Sequence, residues 1–108
     1  MDELFSKSLN LQQLIEFQID SIVSKVLIKN KSGNITIFAF WEGQEISEHV
    51  SPYDAFLYCF EGIGIVVIDK NEYKLNAGEM IIIPKTHPHS VKALTNFKML
   101  LVMIKDNS

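Results

Sequence analysis

Three histidines supply all the imidazole of this 108-residue chain, and they fall in two short stretches. His49 stands in "SEHVSPYDAFLYCFEG", Ser47 to Gly62, while His87 and His89 flank Pro88 in "PKTHPHSVKA". A neutral imidazole is the commonest protein ligand for a transition metal, and near neutral pH it is also a general acid or base. A single histidine at the end of a strand is ordinarily a hydrogen-bonded structural residue. Two of them, brought together by strands distant in sequence, make a pair of convergent nitrogen donors.

The residues after His49 indicate what such a pair would face. In a regular strand, positions two apart share a face, so His49, Ser51, Tyr53, Ala55, Leu57 and Cys59 would point the same way. That face is polar near the histidine and small and apolar beyond it, which reads as a pocket mouth with Ser51, Tyr53 and Cys59 as candidate ligand contacts. Pro52 can slip the alternation by one residue. Such a slip would turn Asp54 inward to complete a two-histidine, one-carboxylate set, with Glu45 and Glu48 as the other nearby carboxylates. Cys59, the lone cysteine, reads either as a thiolate ligand or, having no base beside it in sequence, as a small buried hydrophobe.

Strands must hold these groups in place. From Ile22 onward, short runs rich in Ile, Val and Phe are broken by turn signals at "NKSGN", "EGQ", "EGIG", "DKNE", "NAGE" and "PKTHP". Seven or so strands at that spacing predict an all-β fold, a sandwich or barrel over residues 21–108. Residues 1–20 read as a lead-in to the same domain, with Asn10 placed to cap a short helical turn through "LQQLIE". A chain of 108 residues supports one hydrophobic core. Gly62, Gly64 and Gly78 read as turn and bulge positions.

Composition narrows the partners. The net charge is -3, and all ten basic residues are lysines scattered along the chain. No basic stripe points to nucleic acid, and without arginine the planar fork that clamps carboxylates and phosphates is missing. A small-molecule ligand is expected, and a strongly anionic one is disfavoured unless a lysine or backbone amides hold it. The longest apolar runs stop far short of the ~18 residues of a membrane span. The start "MDELFSKSLN" lacks a basic, apolar leader, so the cytoplasm is the expected compartment. Four runs, "ITIFAFW", "IGIVVI", "MIII" and "FKMLLVMI", are apolar on both faces. A barrel interior covers only one of those faces, so a homodimer is expected to cover the other.

In spacing, the chain resembles the cupin family of small double-stranded β-helix barrels, built from two antiparallel sheets. The first cupin motif, Gly-x5-His-x-His-x3,4-Glu-x6-Gly, falls on Gly43, His49, Ser51, Ala55 and Gly62. The second, Gly-x5-Pro-x-Gly-x2-His-x3-Asn, falls on Gly78, Pro84, Thr86, His89 and Ala93. The resemblance, over about residues 34 to 104, implies a small single-domain cupin with degenerate metal motifs. Family members typically hold an ion with two histidines and a glutamate from the first motif and a histidine from the second. Here Ser51 and Ala55 replace two of those four, so His49 and His89 carry over as ligands, with His87 a third candidate.

The implied cofactor is one divalent ion, zinc, nickel, manganese or iron. Two functions stay open: a metal-dependent enzyme of unassigned reaction, or a metal-free module that binds a sugar-like or aromatic molecule without turning it over. Two imidazoles hold an ion weakly unless another donor completes the shell.

Overall fold

The computed structural model describes residues 2–105, so residue 1 of the lead-in and residues 106–108 of the expected barrel lie outside the described residues. Among the described residues nine strands follow one another: β1 (Ile22–Asn30), β2 (Gly33–Phe40), β3 (Glu45–His49), β4 (Asp54–Glu61), β5 (Ile63–Ile68), β6 (Asn71–Asn76), β7 (Met80–Ile83), β8 (His89–Ala93) and β9 (Phe97–Ile104). Two more strands form than the turn signals predict, because two expected strands are each divided. Pro52 divides the first at a point where the chain passes from one sheet to the other. The second breaks at Leu94–Asn96, where side chains replace ladder bonds: the Ile63 N–H donates to Thr95 Oγ1 (3.0 Å) and the Glu42 N–H to Asn96 Oδ1 (2.8 Å).

The strands form two antiparallel sheets, one ordered β1-β2-β9-β4-β7 and the other β3-β8-β5-β6. Alternation then sorts the side chains. Leu57 and Cys59 of β4, Val66 of β5, Val91 of β8 and Phe97 and Met99 of β9 enter one buried cluster between the sheets. One end of that interior is filled solidly. Phe97 meets Phe40 with ring centroids 5.4 Å apart, and a Cβ on Gly64 would lie 2.6 Å from the Phe97 ring. Gly62 closes the β4–β5 turn at φ +75°, where a Cβ would sit 1.9 Å from the Asn96 carbonyl oxygen, so glycine is required there.

The lead-in is docked on the barrel from Leu11 to Phe17. Asn10 Oδ1 accepts from the Gln12 N–H (3.0 Å) and caps the expected turn, which is a single 3-10 turn over Leu11–Gln13. Leu11, Leu14, Ile15 and Phe17 then pack on Ile37, Ala39, Phe60 and Leu100, the outward residues of the five-stranded sheet. Burying one such aliphatic side chain stabilises the strap by roughly 1.5–3 kcal/mol.

Lys98, also outward but only 6% exposed, fastens the strap. Its Nζ donates to the Gln12 carbonyl (2.7 Å), faces Glu61 Oε1 (3.4 Å) and lies 5.0 Å from the Phe17 ring centroid. The chain thus covers half of its own apolar outer face. The other half, around Ile28, Ile82 and Ile104, is open, with those residues 41%, 53% and 60% exposed. Among the described residues no helix is long and apolar enough to cross a membrane.

Candidate functional site

His49 ends β3 and His89 begins β8, and the two are direct cross-strand partners. Between Ile46 and His49 the register slips, with Ile46 opposite Val91 and His49 opposite His89, so three steps on β3 match two on β8. That bulge re-aims His49. Without it, the parity of the inward Ile46 would send His49 outward with Glu45. With it, the imidazole rings meet edge to face, 4.3 Å between centroids and 60° between planes.

Both rings are held in the same tautomer. His49 Nδ1 donates to the Ser47 carbonyl (2.9 Å) and His89 Nδ1 to the His87 carbonyl (2.9 Å). A carbonyl only accepts, so each neutral ring carries its proton on Nδ1 and leaves the Nε2 lone pair available. This is the state in which an imidazole ligates a metal or accepts a hydrogen bond from a ligand.

The two histidines line a cavity of about 230 Å³ in the unfilled end of the barrel. Its polar rim is His49, His89 and Ser51, and its walls include Phe38, Ile46, Leu57, Met99, Leu101 and Met103. A dry apolar cavity of about 150 Å³ already admits a benzene ring, so this one has room for a substituted monocyclic molecule.

The other candidates go elsewhere. Tyr53 follows the crossing at Pro52 and is absent from the cavity lining, because the alternation on which it shared a face with His49 does not survive that break. Cys59 does face inward, but it stands one inward position beyond Leu57, the last β4 residue of the cavity wall, and is absent from the lining. There it lies in the filled end, fully buried, with Sγ toward the carbonyls of Gly62 (3.3 Å) and Glu61 (3.5 Å).

Asp54 accepts from the Lys85 N–H (2.9 Å) on the outer side of the sheet, and Glu45 and Glu48 are exposed. His87 points its Nδ1 at the carboxylate of Asp69, in the β5–β6 turn. Among the described residues no group of three or more His, Cys, Asp or Glu side chains could together hold a metal ion. The imidazoles of His49 and His89 are the nitrogen groups that line the cavity, one donor short of the three protein ligands of an ordinary catalytic metal site. The residues that sequence reasoning missed include the wall positions of β2 and β9, Phe38, Met99, Leu101 and Met103. Their period of two in "ITIFAFW" and "FKMLLVMI" was the available signal.

Burial pushes the Cys59 thiol up from its ordinary 9.0 to about 11. At pH 8 its alkylation in the folded protein is expected to be at least ~100-fold slower than in urea, since the thiolate is the reactive form. Because the folded value is the raised one, this contribution to stability is intact below pH 9.0 and lost as pH rises through about 11. Alkylation at equal rates in folded and unfolded protein would refute this placement of Cys59.

A family model for the cupin domain matches residues 36–105. Among solved structures, a conserved protein of unknown function from Streptococcus pyogenes is 34% identical, with 95% of this chain and 90% of that one covered and a TM-score of 0.91. A cupin 2 conserved barrel domain protein from Leptotrichia buccalis is 36% identical over 90% of this chain and 47% of that one, with a TM-score of 0.87. A salicylate 1,2-dioxygenase from Pseudaminobacter salicylatoxidans shares the fold at 20% identity and a TM-score of 0.72, over 77% of this chain and 26% of that one. No curated protein matches the chain.

Proposed function

This chain belongs to the cupin domain family, and from that premise we propose that it binds a small, largely apolar ring compound in the barrel, its polar end meeting Nε2 of His49 and His89. A divalent transition metal, when present, would be held by the same two nitrogens. The observation that carries this reading is the matched tautomer of the two rings at the rim of the cavity. When bound, such an ion supplies Lewis acidity to an oxygen of the ligand. Around it, Ser51 offers a hydroxyl at the rim, while Phe38, Met99 and Met103 exclude water and favour an aromatic or aliphatic body over a sugar. A metal-free pocket is the second reading, and the observation behind it is the two-donor set, since catalytic sites ordinarily have three protein ligands.

Elemental analysis of untagged protein, then cobalt(II) titration beside the His49→Ala variant, tests the metal part. Uptake of about one equivalent in the wild type, lost in the variant, is the expected result. No uptake, combined with a rise in Tm on adding substituted phenols, would leave a metal-free pocket. Neither uptake nor any Tm shift would overturn the proposal.

We extend the proposal to assembly as a cytoplasmic homodimer. The open half of the outer face, with Ile28, Ile82 and Ile104 exposed and Phe56 beside Ile82 and Ile104, supports a second copy as its cover. Light scattering is expected to give twice the chain mass, and Ile82→Glu with Ile104→Glu to give the chain mass. A monomeric wild type at micromolar concentration would sink this part.

A further inference from the structure

The loop between β7 and β8 is tied at three points that share no strand with it. The Lys85 N–H donates to Asp54 Oδ1 (2.9 Å), the Thr86 N–H to the Ser51 carbonyl (2.8 Å), and the Pro88 carbonyl accepts from the Asp69 N–H (3.0 Å). Residue 87 lies between these anchors. Its carbonyl is the acceptor that sets the tautomer of His89, and its own side chain reaches across to the Asp69 carboxylate. A relay therefore runs from Asp69 through the His87 ring and backbone to His89 Nδ1.

We propose that Asp69 and His87 are positioning residues for His89: together they hold the His87 carbonyl where it keeps the His89 proton on Nδ1 and the Nε2 lone pair at the cavity. This rests on the reading of His89 as the imidazole that meets the ligand. Neither residue lines the cavity, so their effect is exerted through His89 alone. It also gives His87 a reason to be histidine that does not require it to be a ligand. Asp69 and Lys70 both have positive φ, 51° and 69°, so the hairpin turn tolerates glycine at position 69, and Asp69→Gly removes the carboxylate while keeping the turn.

The test is nitrogen-15 NMR of the histidine rings in metal-free protein, above the ordinary imidazole titration range, for the wild type, Asp69→Gly, His87→Ala and the double variant. In the wild type, His49 and His89 are both expected to show a protonated Nδ1 and a bare Nε2. In each single variant, His89 is expected to drift toward a mixture of tautomers while His49, held by Ser47, does not change and so reports intact folding. Cobalt(II) affinity is expected to fall about three- to tenfold in each, within or below the range for lost outer partners of a metal ligand. The double variant is expected to match the singles instead of multiplying them. An unchanged His89 tautomer in both single variants overturns the proposal. Drift of His89 in a protein that takes up neither metal nor phenol would refute the binding reading and leave the relay standing.

Discussion

Replacing His89 with alanine is expected to weaken cobalt(II) binding at least ~100-fold, beyond what loss of an outer partner of a ligand costs. His49→Ala should do the same, and His87→Ala should cost no more than about tenfold. The ranking follows from where each ring is directed. His49 and His89 both line one cavity and spend Nδ1 on a backbone carbonyl, whereas the His87 ring is committed to Asp69.

If the occupant is a metal-free molecule, the ordering persists for a different reason. A hydroxyl carried into an apolar cavity and left without an acceptor costs about 1–3 kcal/mol. Isothermal titration on the three variants, each checked for an unchanged melting transition, measures the ranking. Equal losses from all three would sink it.

Truncating Phe97 to alanine is expected to destabilise the fold by about 3–5 kcal/mol and to lower Tm by on the order of 15–30 °C. Phe97 is fully buried, stacks obliquely on Phe40 and fills the space that Gly64 leaves by having no side chain. The neighbouring backbone belongs to two sheets that cannot close over the vacated volume, so most of the cavity would persist. Gly64→Ala approaches the same contact from the other side, and overpacking there should cost about 1–3 kcal/mol. Urea melts of both variants provide the measurement. A cost under about 1 kcal/mol for Phe97→Ala would mean that this end of the barrel is not packed as described.

Much of the fold was legible because its signals are local. Gly62, the "DK" pair and the "NAGE" turn end strands wherever they stand, and the period of two in "FKMLLVMI" assigns inward and outward positions without knowledge of the partner strand. Pro52 announced a break, though not its consequence. The break carries the chain into the other sheet, leaves Asp54 outside and removes Tyr53 from the pocket. Cys59 kept its predicted face but missed the cavity, since a face says nothing of depth along the barrel. The strap was under-read for a similar reason: Leu11, Leu14, Ile15 and Phe17 are apolar residues without strand period, and the surface they cover exists only once β2, β4 and β9 are side by side.

Read alone, the sequence specifies an all-β chain and the places where its strands end, and its resemblance to the cupin motifs implies that His49 and His89 share a site. Turn chemistry, side-chain alternation and residue spacing are properties of neighbours along the chain, so they survive without a fold. Only the assembled sheets show that a bulge is what turns His49 inward, that His87 serves Asp69 and a backbone carbonyl, and that Asp54, Tyr53 and Cys59 stand apart from the cavity. Each depends on a cross-strand partner: the bulge after Ile46 exists only against Val91 and His89, and the His87 side chain takes its direction from a turn eighteen residues away in sequence. A strand's period is written in its own residues, but its register is set by the strand it pairs with.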